Sequence, residues 1–214
     1  MKEHLLPRIK ALVNSDNPAF SEDTTVAGIT TLPTPNVSEL DNILFKHDRI
    51  YRHKIMRINY TTYDVRRKQD TINPATPHRN IMVLADSSDS SDHPFLYGRV
   101  IGIFHANVVY TGFRTVDYRP RRLEFLWVRW YELDPNVPAG SWTCGTLDRL
   151  RFPPMAEPGA FGFIDPSDVV RACHIIPAFA SGKRYGDGRG LSRCAMDSDD
   201  WNSYYLMRCV LIHL

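Results

Sequence analysis

The fold is decided by the stretch Leu123-Glu-Phe-Leu-Trp-Val-Arg-Trp-Tyr131, the most apolar part of the chain. Aromatic and β-branched side chains of this kind suit the pleated, buried surface of a sheet. The stretch is followed by Asp134-Pro135, and proline cannot donate to a sheet ladder. The sequence therefore predicts a central strand over residues 123–131.

Weaker strand signals lie on both sides of this stretch. Residues 56–61 alternate apolar and polar side chains, and residues 96–110 form a long β-rich run in which Gly98 and Gly102 allow a bend or bulge. Residues 81–84, 169–176 and 201–214 are further predicted strands. With 15 prolines and almost no long amphipathic helix, the chain is predicted to be mainly β: a small bent or closed β-barrel with one or two short helices.

The first 45 residues are predicted to form a loosely ordered amino-terminal arm, and residues 46–214 the β-barrel-like interaction domain. Apolar residues between Leu5 and Val13 recur at helical spacing, which indicates one or two helical turns before a Thr/Pro-rich linker. A second short turn is predicted at Asp165-Pro-Ser-Asp168, where Asp165 can cap and Pro166 suits the first helical position.

Composition excludes several classes of protein. The 214 residues carry 26 Lys+Arg against 24 Asp+Glu, which fits neither a basic nucleic-acid arm nor an acidic tail. No apolar run approaches the roughly 18 to 20 residues of a membrane span, and residues 1–12 lack a signal-peptide core. The four cysteines form no Cys-x-x-Cys pair, so free and mostly buried thiols are expected. The chain is predicted to be soluble and intracellular, without membrane contact.

Arrangements that carry catalysis are missing from the sequence. There is no phosphate-binding loop and no nucleophile elbow, and the glycine-rich residues 186–190 lack the βαβ context of a phosphate site. Cys173 and His174 are neighbours on a predicted strand, so their side chains point to opposite faces. No histidine pair has metal-ligand spacing. We therefore expect a non-catalytic protein without metal or cofactor.

Two sets of residues are candidates for binding. An aromatic region is able to line a groove for a peptide or a methylated lysine; it comprises Tyr97, Trp127, Trp130 and Tyr131. A basic segment is able to contact phosphates; its cations are Arg49, Arg52, Lys54, Arg57, Arg66, Arg67 and Lys68. Acids are interleaved with these cations at Asp48, Asp64 and Asp70, so a solvated face is the alternative interpretation of the basic segment.

The basic segment also carries a resemblance. The strings Asp48-Arg-Ile-Tyr-Arg-His-Lys, Arg57-Ile-Asn-Tyr-Thr-Thr-Tyr-Asp-Val-Arg-Arg67 and Gln69-Asp-Thr-Ile-Asn-Pro74 resemble the carboxyl-terminal module of Plavaka-type, CACTA-related transposon-encoded proteins of basidiomycete fungi. Further matching strings are Arg99-Val-Ile-Gly-Ile-Phe-His105, Phe125-Leu-Trp-Val-Arg-Trp130 and Ala160-Phe-Gly-Phe-Ile-Asp-Pro166. The metal-binding acids of such a transposase lie upstream of this module. The resemblance therefore implies a nuclear protein to which no catalytic residue is carried over.

A more distant likeness is to the bromo-adjacent homology domain of chromatin proteins. It rests on Tyr97-Gly-Arg-Val-Ile-Gly-Ile103 followed by Val128-Arg-Trp-Tyr131, and it implies a β-barrel. The leading hypothesis is a non-catalytic interaction module derived from a transposon, with a chromatin or nuclear protein as its partner. Direct DNA binding through residues 49–68 is the alternative. A decayed transposon fragment without selected function is a further one, because residues 183–193 and 206–214 depart from the family pattern.

Overall fold

The structure is a computed structural model that describes residues 1–16, 37–61, 66–85, 93–112, 118–135 and 147–207. Its helices are α1 (Lys2–Asp16) and α2 (Val37–Leu40), with two short 3-10 helices at Pro166–Asp168 and Phe179–Ser181. Its strands are β1 (Ile43–His53), β2 (Met56–Thr61), β3 (Arg67–Ile72), β4 (Asn80–Leu84), β5 (Phe95–Tyr110), β6 (Arg121–Leu133), β7 (Arg149–Arg151), β8 (Phe161–Ile164), β9 (Val169–Ala172), β10 (His174–Pro177) and β11 (Tyr204–Met207). The prediction of a mainly β chain is confirmed.

Nine of these strands form one sheet in the order β10-β11-β7-β6-β5-β4-β9, with β1 also paired to β5 and β8 to β6. In the part of the chain that the structure describes, β10 and β9 end this path and do not pair with each other. The predicted closed barrel is therefore wrong. The predicted strand over residues 169–176 is also wrong as a single element. It is divided at Cys173, and its halves pair with different partners, β9 with β4 and β10 with β11.

Strand β6 is the predicted central strand, and it is covered on both faces. Leu126 and Val128 belong to one buried cluster, whereas Tyr131 belongs to another. Because neighbouring residues of a strand point to opposite faces, a strand with a core on each side needs apolar residues at successive positions. This explains why residues 123–131 form a nearly continuous apolar run.

The chain divides into two compact units: Met1–Arg52 with Phe104–Glu124, and His53–Ile103 with Phe125–Leu214. In the first unit, α1 is 15 residues long, longer than the one or two turns predicted. Its buried residues are Leu5, Leu6, Ile9 and Val13. At its last residue, Asp16 accepts hydrogen bonds from Arg121 Nη2 at 2.9 Å and Nε at 3.1 Å, and these bonds lower the pKa of Asp16. The division at residues 45 and 46 stays a prediction.

Smaller features agree with the sequence. The predicted turn at residues 165–168 is confirmed, since Asp165 Oδ1 accepts a hydrogen bond from the backbone N–H of Ser167 at 2.9 Å. The strands predicted at residues 56–61, 81–84 and 96–110 correspond to β2, β4 and β5. Part of the predicted strand at residues 201–214 is β11, and residues 208–214 lie outside the described residues. Among the helices described, none is long and apolar enough to cross a membrane.

Candidate nucleic-acid interface

Strands β2 and β3 form a separate two-stranded antiparallel ribbon in the second unit. Its register pairs Asn59 with Gln69 and Thr61 with Arg67. Alternate residue pairs lie on opposite faces of such a ribbon. The face that we call the outer face carries side chains that are all exposed: Arg57, Asn59, Thr61, Arg67, Gln69 and Thr71.

The opposite, inner face fixes the ribbon to the second unit. Ile72 is fully buried, and Met56 and Ile58 pack against the same apolar cluster. Asp70 Oδ2 accepts hydrogen bonds from Arg171 Nε at 2.9 Å and from the backbone N–H of Ala172 at 3.1 Å. The ribbon is thus held by apolar packing together with one charged anchor.

The aromatic ring of Tyr60 adds a contact to this anchor. The guanidinium carbon of Arg171 lies 3.5 Å from the ring centroid of Tyr60, a cation–π geometry. Arg171 therefore contacts β2 through an aromatic ring and β3 through a carboxylate. Both contacts of Arg171 are made on the inner face of the ribbon, so the outer face remains exposed to solvent.

The outer face is positively charged because the ribbon's acid is on the other side. Arg57 and Arg67 lie on the outer face, and Arg66 directly precedes β3. Lys68 is paired with Tyr60 on the inner face, which also carries the acid Asp70. Asp70 points inward, where Arg171 neutralises it. At the middle of the outer face, Gln69 Nε2 donates a hydrogen bond to Asn59 Oδ1 at 2.8 Å. The outer face thus combines guanidinium groups with a central pair of amides.

The remaining cations of the predicted basic segment lie elsewhere. Arg49 and Arg52 are exposed on β1 in the first unit, and Lys54 is exposed between β1 and β2. Of the interleaved acids, Asp48 is exposed on β1, and Asp64 lies outside the described residues. The structure therefore assembles about half of the predicted segment, Arg57 and residues 66–68, on one element.

The four aromatic residues predicted to form a binding surface are not brought together. Tyr97 and Tyr131 are buried in one core cluster, and Trp130 packs against the cluster on the other face of the sheet. Trp127 is half-buried, with its ring 5.9 Å from that of Phe161. The reason is the alternation of side chains along β6, which separates residues 130 and 131.

One open groove does involve a predicted aromatic residue. Half-buried Trp130 contributes to a groove of about 590 Å³ whose walls are mostly apolar. Leu84 at this groove is 65% exposed, and Asp168 supplies a carboxylate. The other lining residues are Val83, Leu96, Ile164, Ser167, Val169 and Val170.

A buried charge cluster was missed by sequence reasoning. Asp200 is fully buried and accepts hydrogen bonds from Arg99 Nη1 at 2.6 Å and Arg129 Nη1 at 2.5 Å. The ring of Phe152 lies beside both guanidinium groups, 4.5 Å from Arg99 and 3.9 Å from Arg129. The hydroxyl of Tyr204 donates to Asp200 Oδ1 at 3.2 Å. The sequence signal that could have found this cluster is Arg129, because it lies inside the apolar run of residues 123–131.

Burial and the neighbouring groups, among them the carboxylate of Asp200, shift pKa values in this cluster. Burial by itself lowers the pKa of the Arg99 guanidinium, but the phenol groups and the carboxylate beside it raise that pKa above its ordinary value. Burial also raises the pKa of Tyr131, which stays neutral. Among the described residues, Nε of both arginines and Nη2 of Arg129 have no hydrogen-bond partner. We interpret the cluster as structural, because its carboxylate is fully buried and pairs with both guanidinium groups.

Expectations from the sequence also concern the described thiols and potential metal ligands. Among the described residues, neither Cys173 nor Cys194 forms a disulfide; Cys173 is half-buried and Cys194 is exposed, whereas mostly buried thiols were predicted. Cys144 and Cys209 lie outside the described residues. Across the described ranges, no group of three His, Cys, Asp or Glu side chains is placed to hold a metal ion.

Comparison with known proteins gives no match: no protein-family model, curated protein or solved structure matches the chain. The resemblances to Plavaka-type modules and to bromo-adjacent homology domains therefore stay predictions. The candidate interface rests on the geometry of the ribbon alone.

Proposed function

We propose that this protein binds duplex DNA through the outer face of the β2–β3 ribbon. The observation that carries the proposal is the exposure of the whole outer face, with its arginines and amides, while the acid of the ribbon is turned inward and neutralised by Arg171. This is the DNA-binding alternative from the sequence, narrowed from residues 49–68 to one ribbon. The role is non-catalytic.

The width of the DNA major groove supports the proposal. The major groove of B-DNA is about 12 Å wide and admits a two-stranded β-ribbon, whose strands are about 4.8 Å apart. Exposed arginines at both ends of the outer face are able to reach phosphates on the groove edges. Among the described residues, neither Arg57 nor Arg67 is held in an ion pair, so neither has to break one in order to bind.

The test is a salt titration of duplex binding, because neutralising phosphates releases counterions. Each phosphate contact contributes about 0.9 to the slope of log affinity against log salt. We expect the double variant Arg57→Ala, Arg67→Ala to bind a 20-base-pair duplex with a slope smaller by about 1.8. If the two proteins bind equally at 1 M salt, a slope smaller by about 1.8 makes the affinity of the variant roughly 60-fold lower than that of wild type at 0.1 M salt. Fluorescence anisotropy measures both quantities.

A matched control variant removes two arginines that lie outside the ribbon. Arg122 and Arg189 are exposed and lie off the ribbon, so Arg122→Ala with Arg189→Ala lowers the net charge by two but should leave the slope nearly unchanged. The proposal fails if the wild-type protein forms no complex with duplex DNA at low salt. It also fails if the two double variants lose affinity equally.

A second candidate function, protein binding, is supported by the groove beside Trp130. Its apolar walls and the carboxylate of Asp168 suit a peptide with an apolar side chain next to a basic one. We expect Leu84→Glu to weaken binding to histone peptides at least 10-fold in a peptide titration. Leu191→Glu serves as the control, because Leu191 is 77% exposed and does not line the groove. Equal binding by both variants would contradict this role.

A further inference from the structure

The outer face of the ribbon carries the same chemistry on both strands. Read from its amino end, β2 presents Arg57, Asn59 and Thr61, and β3 presents Arg67, Gln69 and Thr71. Each strand thus shows an arginine, an amide and a threonine at alternate positions. All six are exposed, so no packing requirement imposes this order.

Because of the strand register, the arginine, amide and threonine of β2 are related to those of β3 by two-fold symmetry. An antiparallel pair of strands has a local two-fold axis perpendicular to the ribbon. With Asn59 opposite Gln69, the axis through this pair exchanges Arg57 with Arg67 and also exchanges the two threonines. The outer face is therefore two-fold symmetric in its chemistry, with amides at the centre and arginines at diagonally opposite ends.

Duplex DNA has matching two-fold axes, which relate its two strands and are perpendicular to the helix axis. Resting on the proposed function, we propose that the ribbon reads a short palindromic duplex site with A·T base pairs at its centre. Arg57 and Thr61 are four residues apart, which is about 13 Å along a strand, and four base-pair steps of B-DNA span a similar length. The readable palindromic site is therefore about four base pairs long.

The central amides define the base preference. Since Gln69 Nε2 donates to Asn59 Oδ1, the pair leaves the Asn59 amide NH₂ as a donor and the Gln69 carbonyl as an acceptor. Adenine presents the complementary N7 acceptor and N6 donor in the major groove, where asparagine and glutamine read it. Threonine methyl groups contact the methyl group of thymine. The amides and the threonines therefore both favour A·T base pairs, and the two arginines contact the DNA at the ends of the site.

Duplex DNA is favoured over duplex RNA for a geometric reason. The major groove of A-form RNA is deep and narrow, so side chains cannot read it. A ribbon that reads base edges in the major groove therefore discriminates against RNA of the same sequence. Duplex RNA is accordingly included as a probe in the test.

The test is selection of binding sites from a random duplex library, followed by titration of the selected and scrambled duplexes and of the matching duplex RNA. Wild-type protein should enrich palindromes with central A·T pairs and bind them at least 10-fold more tightly than scrambled DNA or RNA. The double variant Asn59→Ala, Gln69→Ala should lose this preference and bind the selected and scrambled duplexes with equal affinity. The exchanged pair Asn59→Gln, Gln69→Asn keeps the symmetric chemistry and should retain the preference.

The outcomes separate this inference from the proposed function. If wild-type protein binds duplexes but enriches no palindrome, or if the alanine pair keeps the full preference, the inference is overturned and DNA binding stands. Equal affinity for the selected duplex and its RNA counterpart also overturns it. If wild-type protein binds no duplex at low salt, both proposals fail. Circular dichroism of each variant confirms that a lost preference is not lost folding.

Discussion

Replacing Asp200 with alanine is expected to lower the free energy of unfolding by about 3–5 kcal/mol, the usual effect of leaving a buried charge without its partner. The carboxylate of Asp200 is fully buried and joins two guanidinium groups, those of Arg99 and Arg129. Alanine leaves both cations inside the protein, with further N–H groups that already lack acceptors among the described residues. This loss is a large fraction of the roughly 5–15 kcal/mol that stabilises an ordinary domain.

Urea unfolding followed by tryptophan fluorescence measures the effect. The neighbouring residue supplies the control: Asp199 is exposed, and its carboxylate lies 3.9 Å from Lys183 Nζ. We expect Asp199→Ala to change the free energy of unfolding by less than about 0.5 kcal/mol. Similar midpoints for the two variants would mean that Asp200 is not the centre of this cluster.

Gly98→Ala is expected to cost about 3 kcal/mol of unfolding free energy, at the upper end of the usual range for overpacking. A Cβ atom at this position would lie 2.2 Å from Cγ1 of Val128 and 3.1 Å from the ring of Trp130. Val128 is buried and its β-branched side chain is stiff, so neither β5 nor β6 is able to give way cheaply.

The matched substitution for this test is Gly186→Ala. No atom lies within 4 Å of a Cβ at Gly186, so this change should leave stability within about 0.5 kcal/mol of wild type. Thermal unfolding of both variants gives the comparison. A Gly98→Ala protein as stable as wild type would contradict the close approach of Val128 and Trp130 to Gly98.

The central sheet could be predicted because its signal is local. The apolar run of residues 123–131 and the long run of residues 96–110 correspond to β6 and β5. Helix α1 was underestimated because the apolar stretch is short and the turn-forming residues from Asn14 onward indicated an early end. The division between β9 and β10 could not be predicted, because no glycine or proline marks Cys173 and the two halves differ only in their distant partners.

The sites were predictable to different degrees. That the four aromatic residues do not all share one face could have been predicted from the sequence, because neighbours on one strand, such as Trp130 and Tyr131, face opposite sides. Half of the ribbon was predicted by the alternation in β2, but β3 is polar except at Ile72 and gave no apolar pattern. The buried cluster depends on Arg99 and Asp200, which are 101 residues apart, and no local rule connects them.

The position of β11 determines when the second unit is able to fold during synthesis. Its residues Tyr204–Met207 come last among the described strands, yet they lie between β10 and β7 in the sheet. Asp200, the partner of the two buried arginines, belongs to the same late stretch. A nascent chain that has emerged only as far as residue 195 therefore exposes two unpaired strand edges and two uncompensated cations. Completion of this part of the sheet therefore requires residues 200–207 to have emerged from the ribosome.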